Sequence, residues 1–274
     1  MLMKKMLAVA LLVGCALLYG ESSDKLENGQ EACCSGQILA KYKNYLEQGT
    51  YEGFESSEWP VWRAKPQSRY QTFKIAFEHF EKTKGKIVVE LGTTRSLTHG
   101  GLPGCNRDWS GYWTPQNPEN WDWGAGSFTR MAAECLAHTN PVIHTVDLEA
   151  AHIARCKVIT QDFSSIMQYH VCSSESFLST CDLQGKIDLL YLDTGNMTPI
   201  EPTAQLHLAE AKIIVARNLL SPQGIILIDD VRNQTPKKFG ETSELGKAKY
   251  SIPYFLQHGY EIVANEYQVI LRKR

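Results

Sequence analysis

The chain has almost no net charge, a formal -2 over 274 residues. That balance gives no global pull towards nucleic acid or acidic lipid, and it points to a small molecule or another protein as the partner. No apolar stretch reaches the roughly 20 residues that a membrane-spanning helix needs. Eight cysteines are present, but none forms a C-x-x-C pair, which argues against a structural zinc site. Adjacent Cys33 and Cys34 are poorly placed to bridge one another. The scattered remainder reads as buried thiols, with disulfides expected only if the chain is exported. Internal repeats and low-complexity blocks are also lacking. Hydrophobic residues at 43% and charged residues at 21% are enough for a full core and exclude a disordered or collagen-like chain.

What is present begins with Lys4 and Lys5 ahead of an apolar stretch over residues 6–19, followed by the polar Glu21, Ser22, Ser23 and Asp24. A basic start and a short apolar run read as a secretory signal. Leu12, Val13, Gly14 and Cys15 also fit a bacterial lipobox, in which the cysteine is lipidated. Residues 1–20 are therefore expected to be a signal peptide or lipoprotein anchor, residues 21–67 a tether and N-terminal helical extension, and residues 68–274 the main domain. On that reading the protein is exported or membrane-anchored, touching the membrane only through its N-terminus; with the N-terminus mis-assigned, it is cytoplasmic.

Residues 37–48 and 68–84 carry apolar stripes at helical spacing, with Tyr70, Phe73, Phe77 and Phe80 on one face of the second. Beyond Gly85, short apolar runs alternate with helical patterns. Strands are expected at 86–91, 141–147, 167–172, 187–193 and 225–230, and helices at 128–137, 150–159 and 202–220. Ser221, Pro222, Gln223 and Gly224 read as a stop signal after the last helix. A helix near 249–258 and β-rich runs at 260–264 and 267–273 follow, joined by the hairpin-like Asn265 and Glu266. Strands separated by single helices imply right-handed crossovers. The expected fold is a Rossmann-like, doubly wound α/β sheet of seven strands, mostly parallel, ending in an antiparallel pair.

Ligands of such sheets bind beyond the carboxyl ends of the strands. Those ends carry Glu90, Gly92 and Thr93 after the first strand, and Asp147, Leu148 and Glu149 after the second. The third ends at Ser173, Ser174 and Glu175, the fourth at Asp193, and the fifth at Asp229 and Asp230. Each has a duller use: Asp147 as a helix cap, Asp193 as a turn residue, Gly92 as a tight turn. Asp229 and Asp230 are harder to dismiss. Alternation sends their side chains apart, and carboxylates gathered at one edge need a cation or hydrogen-bond donors to offset their repulsion.

Asp147 at the second strand end, over the glycine turn of the first, suits a carboxylate that accepts from a ribose diol. Nicotinamide cofactors and S-adenosylmethionine share that grip. A dinucleotide would need G-x-G-x-x-G after the first strand; Gly92, Thr93, Thr94, Arg95 and Ser96 lack that spacing, so a donor without phosphates fits better. Tyr70 and Lys74 match the Y-x-x-x-K spacing of short-chain dehydrogenases, but on a helix ahead of the first strand, where the match is chance.

The runs around Val88 to Gly92, Thr145 to Asp147, Ser174 to Leu178, Asp188 to Asp193 and Gly224 to Asp230, in this order, resemble class I S-adenosylmethionine-dependent methyltransferases. The similarity is to the small O-methyltransferase-like branch of the cephalosporin-hydroxylase and rhamnosyl-methyltransferase type. That resemblance implies S-adenosyl-L-methionine as methyl donor and a small-molecule hydroxyl as acceptor. It implies Glu90 and Gly92 against the methionine moiety, Asp147 on the ribose and Ser174 near the adenine. In metal-dependent members, acidic residues at the ends of strands four and five bind Mg²⁺; Asp193, Asp229 and Asp230 match those positions.

One departure is large. About thirty residues separate Gly92 from the next helix. They hold Trp109, Tyr112, Trp113, Trp121 and Trp123, expected to form an aromatic cover (residues 95–123) over the cleft rather than a satellite cluster packed on the domain. Gly124 and Gly126 would then bring backbone close to the donor. Without a metal, a histidine must remove the acceptor proton, and His99 and His207 are the candidates. Export conflicts with a cytosolic methyl donor. The rival reading is therefore an exported or anchored non-catalytic protein using the same cleft; a nicotinamide-dependent oxidoreductase is disfavoured by the loop after the first strand.

Overall fold

The computed structural model describes residues 33–48, 69–97, 113–114, 116–118, 121, 128–196, 199–231 and 245–274. The signal or anchor reading of residues 1–20, with Cys15, lies outside them, as do His99, Trp109, Tyr112, Trp123, Gly124 and Gly126. No helix among the described residues is long and apolar enough to cross a membrane.

Two short helices, α1 (Cys34–Leu39) and α2 (Lys43–Gln48), precede α3 (Tyr70–Lys82). The alternation then runs β1 (Ile87–Leu91), α4 (Phe128–Leu136), β2 (Val142–Asp147), α5 (Ala150–Ile159) and β3 (Met167–Val171). It continues through α6 (Ser174–Thr180), β4 (Ile187–Leu192), α7 (Ile200–Ala216) and β5 (Leu220–Ile228), then α8 (Ser251–Gln257), β6 (Tyr260–Asn265) and β7 (Val269–Lys273). Among the described residues the strands form one sheet in the order β3-β2-β1-β4-β5-β7-β6. Pairings from β3 through β5 are parallel, while β7 runs antiparallel to both β5 and β6. The order reverses between β1 and β4, so the crevice for a ligand opens at the carboxyl ends of those two strands.

Strand alternation explains the two cores. Val88, Leu189, Tyr191, Ile225, Leu227 and Ile270 face the layer of α1 to α4, where Phe73, Phe77 and Phe128 pack. Val89, Leu91, Leu190, Leu192, Ile226 and Ile228 face the other layer, against Phe177 of α6, Ile214 of α7 and Phe255 of α8. Phe128 stacks on Tyr191 at 4.1 Å between centroids, tying α4 to the middle of β4.

Three expectations need correction. The helix expected to reach residue 220 ends at Ala216, closed by Asn218 in the left-handed conformation (φ 48°). Ser221 to Gly224 is therefore not a stop signal. It is an irregularity inside β5, where the register jumps between the pairs Ile187–Leu220 and Leu189–Ile225. Gly224 is required there, because a Cβ would lie 2.4 Å from the Ile187 carbonyl oxygen. Finally, the two described tryptophans of the long insert join the core on the side of α1 to α4, neither a cover nor a separate cluster. Trp113 and Trp121 stack at 4.7 Å, and Trp121 packs on Tyr42 and Tyr45 of the N-terminal extension at 5.4 and 5.7 Å.

Candidate functional site

The crevice is built first from the turn after β1. Gly92 adopts φ 85°, open to glycine and strained for other residues. A Cβ there would meet the Asp193 carbonyl oxygen at 2.6 Å. The Gly92 N–H donates to the Val146 carbonyl (2.8 Å), and the Asp193 N–H donates to the Leu91 carbonyl (2.9 Å). The ends of β2, β1 and β4 are thus drawn against one another at the reversal point.

Asp147 closes the same turn. Its Oδ2 accepts the Thr93 N–H (3.0 Å), while Oδ1 accepts the Glu149 N–H (2.8 Å) and a ring N–H of His152 (3.0 Å). The carboxylate therefore faces the loop at Gly92, as the sequence led us to expect, with its side chain 12% exposed. Three of about four acceptor positions are in use. Next to it, Leu148 holds an apolar side chain 67% exposed at the mouth of the crevice.

Glu90 sits elsewhere than expected. It is fully buried beneath the loop, where Oε2 accepts from Thr145 (2.6 Å) and from Thr129, while Oε1 has no partner among the described residues. Burial pushes its carboxyl group up to about 8, against the pull of hydrogen bonds from Thr129, Thr145 and Thr93. At neutral pH it is a neutral acid that supports the loop rather than a contact in the crevice. Ser174 is likewise buried, at the start of α6. The Glu210 carboxylate of α7 accepts from Thr194 at 2.8 and 3.1 Å, and burial raises its carboxyl group to about 7 against the pull of Ser174 and Thr194.

The ends of β4 and β5 form the second half. Asp193, Asp229 and Asp230 do converge, although alternation should have sent the last two apart. Asp230 has left the strand with φ 54°, which swings its carboxylate back beside its neighbour. The offsetting cations come from the protein. Lys247, in the tight turn Gly246–Ala248, places Nζ 2.8 Å from Asp193 Oδ1 and 2.9 Å from Asp230 Oδ2. Arg69, which caps α3, donates from Nε to both oxygens of Asp229 (3.1 and 3.0 Å). Its second arm lies 2.9 Å from Asp229 Oδ2 and 3.7 Å from Asp230 Oδ1. Tyr191 donates to Asp229 Oδ2 (2.7 Å), and Tyr267 donates to Asp230 Oδ1. Among the described residues, five of the six carboxylate oxygens are thus engaged, all but Asp193 Oδ2.

This arrangement does not fit the Mg²⁺ implied by the family resemblance. Mg²⁺ is held through one or two carboxylates that have oxygens to give, and here an ammonium, a guanidinium and two phenols already occupy those of Asp229, Asp230 and half of Asp193. Among the described residues no other group of ligands assembles a metal site. Burial raises the Asp193 carboxyl group, and Lys247 pulls it back. Burial alone would lower the Lys247 ammonium, but Asp193 and Asp230 more than offset this and hold it charged.

His207 is corrected as a base. It is fully buried on α7, and its Nε2–H donates to the Thr194 carbonyl at 3.2 Å. Burial and the Lys247 charge lower it to about 3, leaving too weak a base to take a hydroxyl proton.

Arg69 and Lys247 were missed from sequence. Neither lies in a motif, and both reach the site across long stretches of chain.

No family model matches the chain, and no curated protein does. Solved structures do resemble it. An SAH-bound methyltransferase of Podospora anserina shares 14% identity over 100% of this chain and 98% of its own, with a TM-score of 0.49. A methyltransferase from Geobacter sulfurreducens shares 12% over 98% and 96%, at 0.44. A methyltransferase homologue from Pyrococcus horikoshii shares 10% over 73% and 66%, at 0.43. Scores and identities this low carry no weight beyond the chain's own strand order.

Proposed function

We propose that the protein binds S-adenosyl-L-methionine and transfers its methyl group to a hydroxyl of a small molecule. The observation that carries this reading is the Asp147 carboxylate held against the Gly92–Thr93 turn at the reversal point of the sheet. A carboxylate there accepts from the two hydroxyls of a ribose, and the glycine turn lets backbone approach the rest of a nucleoside. The Gly92 and Thr93 N–H groups of the turn are already spent on the Val146 carbonyl and Asp147, and the G-x-G-x-x-G spacing is lacking, which favours a donor without phosphates.

The fit has a condition. Asp147 already accepts three hydrogen bonds, and a diol brings two donors, one more than its remaining capacity of about one. His152 is the partner that gives way, since it is a side chain on a helix surface while the other two donors are backbone groups. Leu148, exposed beside it, supplies an apolar face for a purine. When bound, the donor supplies an electrophilic methyl on a sulfonium sulfur. The chain's contribution is to align the acceptor, and Asp193 Oδ2 stands open to receive its hydroxyl proton.

The reading is tested by incubating the full chain with methyl-labelled donor and a panel of phenols, catechols and sugars, without divalent ions. Label transferred to an oxygen acceptor supports it. Binding of neither the donor nor S-adenosylhomocysteine at millimolar concentration would refute it.

A further inference from the structure

We propose that the Lys247 ammonium is a built-in cation that stands in for a metal ion at the ends of β4 and β5, so that the site neither needs nor admits Mg²⁺. The role this cation plays in catalysis rests on the transferase reading above; its presence and its exclusion of metal do not.

The argument is one of charge and capacity. Asp193, Asp229 and Asp230 bring three negative charges to one place, at strand ends where their side chains are 17%, 2% and 12% exposed. Carboxylates so close and so poorly hydrated require nearby positive charge. A divalent ion would supply it by bridging oxygens from at least two of them. Lys247 bridges Asp193 Oδ1 and Asp230 Oδ2 instead, at 2.8 and 2.9 Å, with its own side chain only 4% exposed. Arg69 takes Asp229 through a two-armed contact, the geometry that a guanidinium suits. An incoming ion would have to expel a buried ammonium and then compete with Arg69, Tyr191 and Tyr267 for the remaining oxygens.

Lys247 is also held from outside the cluster. Lys249 and Tyr250, just after the turn, reach Glu201 on α7 at 3.0 and 2.8 Å. These contacts join the turn that carries the ammonium to the helix following β4, so Lys247 is a positioning residue. It neutralises one oxygen of Asp193 and leaves the other open to an acceptor.

The test is calorimetric titration of the full chain with Mg²⁺ and Mn²⁺, with melting curves in EDTA and in about 5 mM metal. The wild type should show no binding heat and the same melting temperature in both. Lys247→Met should melt roughly 10 °C lower in EDTA and recover much of that loss in Mn²⁺, with one ion bound per chain. A purely structural lysine would show the loss without the metal-specific recovery. If Lys247→Met does not fold, Lys247→Gln is read in the same way. Metal binding by the wild type that Asp193→Asn abolishes would overturn the proposal. So would a lysine variant that stays indifferent to metal. Failure of the wild type to bind S-adenosylmethionine would sink the transferase reading while leaving this result intact.

Discussion

Glu90 offers a quantitative check on how the loop after β1 is supported. Its carboxyl group is fully buried, bonded through one oxygen to Thr129 and Thr145, and raised from 4.5 to about 8. Below pH 4.5 the group is neutral in both folded and unfolded chains and has no effect on stability. Between 4.5 and about 8 the unfolded chain gives up its proton while the folded one keeps it, so stability falls as pH rises; above about 8 the full loss is present. At about 1.36 kcal/mol per unit, the group destabilises the fold by roughly 3 kcal/mol at neutral pH and roughly 5 kcal/mol in alkali. Glu90→Gln keeps the shape and cannot ionise. Any fixed cost of its amide is independent of pH, so the slope is the readout. We expect the melting temperature of the variant, relative to wild type, to rise by about 10 °C between pH 5 and pH 9. A difference that stays flat across that range would refute the neutral, buried acid.

Gly92→Ala places a Cβ 2.6 Å from the Asp193 carbonyl oxygen at φ 85°. It should cost roughly 2–3 kcal/mol in urea unfolding and weaken nucleoside binding, because the shifted turn breaks the contact from Thr93 to Asp147. Arg69→Met leaves a nearly buried Asp229 with Tyr191 but no cation. A loss of about 3–5 kcal/mol is expected, and Arg69→Lys should restore little of it, since one ammonium cannot reproduce the fork.

Much of the fold was legible because short, continuous apolar runs mark buried parallel strands whatever surrounds them. Val88, Val89 and Leu91, or Leu189, Leu190 and Leu192, announce themselves in this way. The start of β5 was hidden because Pro222 and Gly224 carry the composition of a turn while lying in a strand irregularity. Helix α6 spans only seven residues, Ser174–Thr180, too short for its period to show. In the site, Asp147 was readable because a strand end and the following helix start fix where its carboxylate lies. Lys247 and Arg69 were not, since they meet Asp193 and Asp229 across separations of 54 and 160 residues, which no local pattern encodes. The alternation rule misjudged Asp229 and Asp230 because one left-handed residue is enough to break it. Helical spacing likewise placed His207 on α7 without revealing that Thr194 and Lys247 would enclose it.

The most direct measurement is the affinity of S-adenosylhomocysteine for the wild type and for Asp147→Asn, by calorimetry at neutral pH. Asparagine preserves the size of the side chain and one acceptor oxygen but removes the charge and the second acceptor. Losing charge-assisted bonds to a ribose should weaken binding by about a hundredfold, or roughly 2.7 kcal/mol. Equal affinity in the two proteins would contradict a nucleoside held by its sugar at this carboxylate.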